Sequence, residues 1–155
     1  MARRSRILRT FTPTPEQPTR LDTTTLQEGL AQLLYSGARM GHLLTPAGVH
    51  PWVDLIAPRA AGDTPYGGSR AIAAEEIVTT AIAAVGGTHG QAMEILLQIA
   101  PGTSGLSLSE RREMCADIFG ISVETFVKTD KYEKGIMRIL LMEIYRILAA
   151  RGRMA

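Results

Sequence analysis

The groups in this sequence best suited to chemistry on a partner are four arginines crowded into the first ten residues, Arg3, Arg4, Arg6 and Arg9. A guanidinium fork matches phosphate oxygens two at a time, so an arginine-rich arm suits a nucleic-acid backbone or minor groove. Acid–base and metal chemistry would fall to His42, His50 and His89, which stand far apart with no acidic residue at a metal-ligand spacing, and no metal site is expected. Cys115 would be a nucleophile only beside a base. It lies next to Ala116 and Ile118 on the apolar side of a helix, the setting of a buried, inert thiol. Glu75 and Glu76 are adjacent, which turns their carboxylates about 100° apart on a helix and prevents a shared proton. The run GGSR at 67–70 could offer backbone N–H groups to an anion, but it lacks the lysine of a nucleotide loop and reads as a loop and helix start. These groups predict neither an enzyme nor a bound cofactor.

A single cysteine among 155 residues excludes an intrachain disulfide and a thiolate zinc site. It fits a reducing cytosol, so a cytoplasmic protein is expected. Arg3 and Arg4, followed by Ile7, Leu8 and Phe11, could open a targeting sequence. TPTPEQPT at 12–19 then stands where a signal peptide needs an apolar run of about 7–15 residues, which argues against secretion. The net charge of +2 belongs to the arm, because the residues after the first ten sum to −2. At 45% hydrophobic, 21% charged and 5% aromatic, with Ala, Leu, Ile and Met abundant, the composition predicts a folded helical core.

Residues 1–20 combine the arginines with Pro13, Pro15 and Pro18 and predict a flexible basic arm. Residues 21–155 predict a single compact, all-α domain with a helix-turn-helix toward its C-terminal end and a long apolar last helix. TLQE at 25–28 has capping-box spacing, and Leu26, Leu30, Leu33 and Leu34 share one face, so a helix is expected from Thr25 to about Tyr35. One or two short helices should follow between Ser36 and Gly68, with a loop at 62–68. A helix capped by Ser69 should carry Ile72, Ile77, Val78, Ile82 and Val85 and stop at Gly86 and Gly87. A second, opened by THGQ at 88–91, should run through Met93, Leu96, Leu97 and Ile99 to Pro101 and pair with the first as an antiparallel hairpin.

The last helix is expected from about Ser122 to Ala150. Between Ile136 and Leu148 its charged residues are Arg138, Glu143 and Arg146, so more than one face is apolar and the helix is either central to the core or shared with a partner. Ile136, Leu140, Leu141, Ile144 and Leu148 are the candidate oligomer interface. The helix is too short and too charged to span a bilayer, so no membrane partner is expected.

The segment from Ser107 to Lys134 carries the most specific signals. SLSE at 107–110 has capping-box spacing and starts a helix with Leu108, Met114, Cys115, Ile118 and Phe119. Gly120 stops it where a left-handed backbone is needed, Ile121 plugs the corner, Ser122 caps the next helix, and Phe126 points inward. The run from Ala116 to Phe126, ADIFGISVETF, resembles the core of helix-turn-helix regulators, in which a small residue, a glycine, a serine and a threonine recur at these offsets. Thr129 stands where that family usually places an apolar residue, which bears on where the second helix ends. GLSLSERR at 105–112, GISVETF at 120–126 and KYE at 131–133 are also similar to a module of uncharacterised actinobacterial proteins, some of them in signalling or conflict systems.

The resemblance implies that Val123, Glu124, Val127, Lys128 and Lys131 would face a DNA groove, with nearby basic side chains on phosphates. Residues 107–134 hold five basic against six acidic side chains, a net charge of −1, which weakens the phosphate attraction that DNA binding needs. Two functions therefore remain open. One is a small regulatory protein that binds double-stranded DNA through this unit and the arginine arm, as a homo-oligomer built on the last helix. The other is an adaptor or accessory subunit that docks on another protein through the same helix, in a signalling or defence assembly.

Overall fold

Apolar residues spaced three and four apart recur through the chain and fold it into eight helices among the residues that the computed structural model describes, 21–46, 48–62 and 67–154. The arm, with Arg3, Arg4, Arg6 and Arg9, lies outside the described residues. In order the helices are α1 (Thr23–Ser36), α2 (Met40–Leu43), α3 (Pro51–Ile56), α4 (Gly68–Val85), α5 (Gly87–Leu96), α6 (Leu108–Phe119), α7 (Val123–Lys128) and α8 (Glu133–Ala150). Between α2 and α3, strands β1 (Leu44–Thr45) and β2 (Gly48–Val49) pair antiparallel, with Leu44 opposite Val49. Among the described residues the fold is all-α apart from this hairpin and a single bridge between Leu21 and Met154.

The longest helices, α4 and α8, pack on each other most extensively, and the remaining helices close around them. Leu26, Leu33, Trp52, Val78, Met93, Leu96, Phe126 and Leu140 are fully buried in one apolar cluster. Gly29 is what lets α1 settle onto α3: a Cβ there would stand 2.7 Å from Leu55 Cδ1 and 2.9 Å from Trp52 Cε3. At the far end Leu21 bonds back to Arg153, which brings the start of α1 beside the end of α8.

Several helix ends differ from the expectation. α1 is capped by Asp22, whose carboxylate accepts from the Thr25 N–H at 2.7 Å, so Thr25 is inside the helix and not its cap. α4 begins at Gly68 without a side-chain cap, so Ser69 has no capping role, and Ile72 is exposed. α5 begins at Gly87, again with no side-chain cap, and stops at Leu96 because Gln98 takes a left-handed backbone, φ 59°, short of Ile99. Gly86, φ 62°, makes the corner between α4 and α5 and brings Gly90 against the Ile82 carbonyl.

The expected helix from Ser122 to Ala150 is two helices, α7 and α8, separated at Thr129–Tyr132. Thr129 is extended, φ −85° and ψ 128°, as suits a β-branched residue with low helix propensity. The break lets Tyr132 fold back onto Phe119, with ring centroids 5.4 Å apart at 63°. It also requires Gly135, because a Cβ there would stand 2.7 Å from the Asp130 carbonyl oxygen. We expect Gly135→Ala to destabilise the protein by about 1–3 kcal/mol through this clash, read from the denaturant midpoint at constant m-value. No helix among the described residues is long and apolar enough to cross a membrane.

Candidate interaction site

The corner between α6 and α7 is built from local chemistry. Ser107 caps α6, its Oγ accepting from the Glu110 N–H at 3.1 Å. At the other end Gly120 is left-handed, φ 67° and ψ 34°. The Ile121 N–H reaches the Ala116 carbonyl and the Gly120 N–H the Asp117 carbonyl, both at 3.1 Å, the two bonds of a Schellman ending. Ser122 then caps α7 through the Thr125 N–H at 3.1 Å. Ala116 is buried where the helices meet, and Phe126 is buried against Phe119, centroids 6.2 Å apart. The helix-turn-helix geometry is therefore present, with a second helix of only six residues.

Its two arginines are engaged within the fold. Arg111 is 1% exposed, and its guanidinium donates to the carbonyls of Leu106, Leu34 and Leu96. Leu34 and Leu96 lie in the last turns of α1 and α5, so one cation caps two helix C-termini, the ends where the backbone dipole is negative. Burial pulls the Arg111 pKa down, helped by the neighbouring charge of Arg112. Arg112 forms a bidentate pair with Glu133, both bonds 2.7 Å, tying α6 to the start of α8. That bond holds the Arg112 pKa above its ordinary value, and the Glu133 side chain is left 8% exposed.

The residues expected to face DNA divide between core and surface. Val123 and Val127 are half-buried against the core. Glu124 and Lys128 are exposed but pair with each other at 2.8 Å, and the Lys131 ammonium sits 5.7 Å over the Tyr132 ring. With Arg111, Arg112 and Glu133 turned inward, the outward charges of the unit are three lysines against five carboxylates, Glu110, Glu113, Asp117, Glu124 and Asp130. The outward face is thus more acidic than the segment as a whole.

The expected oligomer interface is corrected more sharply. Ile136, Leu140, Ile144 and Leu148 form the stripe by which α8 enters the chain's own core, all of them 0% exposed, so none is free to meet a partner. The apolar surplus read in the sequence lies on other faces. Ile139 and Met142 are exposed, at 40% and 57%. Leu141, the one expected interface residue outside the core stripe, lines a groove of 540 Å³ between α1 and α8. Its apolar lining comes from Leu30 and Leu34 on α1 and Met137 and Leu141 on α8, and its α8 rim carries Lys134 and Arg138. A signal for it existed in the i, i+4 pairs Lys134–Arg138 and Met137–Leu141; the α1 wall was not legible.

Other reactive groups are held in structural roles. The Cys115 thiol donates to the Ala92 carbonyl at 3.5 Å, and burial pushes its pKa up to about 12, far from a thiolate nucleophile. Among the described residues no three His, Cys, Asp or Glu side chains converge as a metal site would require. Ser104, unremarked in the sequence, stands 3.3 Å from His42 Nε2. Among the described residues His42 Nδ1 is buried without a hydrogen-bond partner, while the nearby Glu75 carboxylate accepts from the Met40 N–H. The imidazole therefore lacks the orienting group that an activated serine requires.

His50 does structural work: its Nδ1 accepts from the Trp52 N–H at 3.0 Å and caps α3. Burial lowers the pKa of both His42 and His50 below 6.5, and for His42 the Arg39 and Arg111 charges add to it. With folded values below the unfolded one, the unfolded chain takes up protons first as pH falls. Their contribution is complete above about pH 6.5 and is lost as pH drops through the folded values. We expect the thermal midpoint to be level from about pH 8 to 7 and to decline below 6.5, with His50→Asn, an uncharged cap, flattening part of that slope.

No protein-family model, curated protein or solved structure matches the chain.

Proposed function

We propose that this chain is a protein-docking module of the adaptor or accessory-subunit class. The helix-turn-helix braces the fold, and the groove between α1 and α8 receives a segment of another protein. One observation carries this reading: the molecule leaves an open apolar groove with cations on its rim, while the arginines of the helix-turn-helix are bonded to its own backbone and to Glu133. Ile139 and Met142 expose further apolar surface on other faces of α8, and an apolar groove with a polar rim is what interaction sites present.

DNA reading by α7 is favoured by the intact corner and the outward Glu124 and Lys128. Against it stands the acidic outward face, since phosphate neutralisation supplies most non-specific affinity. Selection of displayed random peptides on the full-length protein tests the docking reading. Peptides should be enriched whose binding is lost on Leu141→Asp and kept on Lys128→Ala. Absence of enrichment, or enriched peptides indifferent to Leu141→Asp, would overturn it.

A further inference from the structure

The lining of the groove points to the chemistry of its occupant. On α8 it runs from Glu133 to Leu141, about 12 Å at the rise of a helix, the span covered by apolar side chains at positions i, i+4 and i+7 of a second helix. Met137 and Leu141 form its α8 floor, flexible and branched side chains that accept helical knobs. Its electrostatics are one-signed. Glu133, the carboxylate among the lining residues, is consumed by Arg112, and the α1 rim contributes neutral Gln27 and Ala31. Arg138 has no ion pair or hydrogen bond among the described residues, and Lys134 reaches Asp130 only at 3.7 Å.

We propose that the groove is the receptor for an acidic amphipathic helix of a partner protein, which seats its apolar face on Leu34, Met137 and Leu141 and its carboxylates on Lys134 and Arg138. This rests on the docking reading above and names the partner's chemistry. A second copy of the chain fits less well, because two-fold pairing over this face of α8 brings the same cations together. Like charges across an interface oppose association.

The test uses the full-length protein and two labelled synthetic peptides of about 16 residues, long enough to hold a helix once bound. Both carry leucine at i, i+4 and i+7; one flanks the leucines with glutamate, the other with lysine. Anisotropy titrations at low salt should give the acidic peptide about tenfold or tighter binding than its basic twin, the gap shrinking as salt screens it. Lys134→Glu with Arg138→Glu, both on exposed side chains, should reverse the preference, and Leu141→Asp should abolish binding of the acidic peptide. Equal binding of the twins, still lost on Leu141→Asp, would overturn the acidic partner and leave the docking reading standing. Failure of both peptides, even where displayed peptides are enriched, would overturn the helical occupant. A dimer in sedimentation that Leu141→Asp dissolves would replace the partner protein with a second copy.

Discussion

Replacing Arg111 by leucine is expected to cost about 3–5 kcal/mol, a large part of the 5–15 kcal/mol that holds a domain of this size together. The guanidinium lies inside the protein and donates to three carbonyls, Leu106, Leu34 and Leu96. Leucine fills similar space but donates nothing, so acceptors in the last turns of α1 and α5 lose their partner, that of Leu96 in the buried interior. Each such loss costs about 1–3 kcal/mol. The dipole compensation at two helix ends goes with them. Arg111→Lys should recover part of the loss, because one ammonium keeps the charge but cannot spread donors as a planar fork does. The denaturant midpoint of the three proteins, with m-values compared, measures this order. An Arg111→Leu protein as stable as the parent would show that the buried cation is incidental.

The second large effect is expected at Phe126. Its side chain is fully buried and forms a three-ring cluster with Phe119 and Tyr132, at centroid distances of 6.2 and 6.4 Å. Phe126→Ala removes the ring that closes the corner of α6, α7 and the start of α8, at a cost of about 3–5 kcal/mol. α7 has only six residues and cannot stand without tertiary support. Loss should therefore appear first as faster hydrogen exchange at the Gly120, Ile121 and Thr125 amides, ahead of those of α4. Uniform acceleration across the molecule would mean that the corner and the body unfold as one.

What could be read from the sequence follows the range of the interactions. Ser107, Gly120, Ser122 and Phe126 were legible because a cap or a left-handed glycine is decided within about four residues. Arg111 was not. Beside Arg112 it looks like half of a solvated basic pair, yet its acceptor Leu34 is 77 residues away, and adjacent positions on a helix point in different directions. The same holds for α8. Its apolar surplus is plain, but which stripe faces inward depends on how α4 lies against it, so the sequence alone does not separate the buried Ile136, Leu140, Ile144 and Leu148 from the outer Met137 and Met142. Gly135 gave no local sign of its role, because the carbonyl it makes room for belongs to a turn created by the break at Thr129. The groove joins α1 to α8, more than 100 residues on, and no window of sequence contains it.

On the proposed reading, the helix-turn-helix braces a docking module and does not read DNA. Titration of mixed-sequence duplex DNA with the full-length protein and with a Lys128→Ala, Lys131→Ala variant, across a salt series, tests it most directly. The two proteins should give the same isotherms and the same salt slope, because Lys128 is paired with Glu124 and the face around it is acidic. Weaker binding by the variant, with a shallower salt slope, would place phosphate contacts at Lys128 and Lys131 and make the helix-turn-helix a DNA-binding unit.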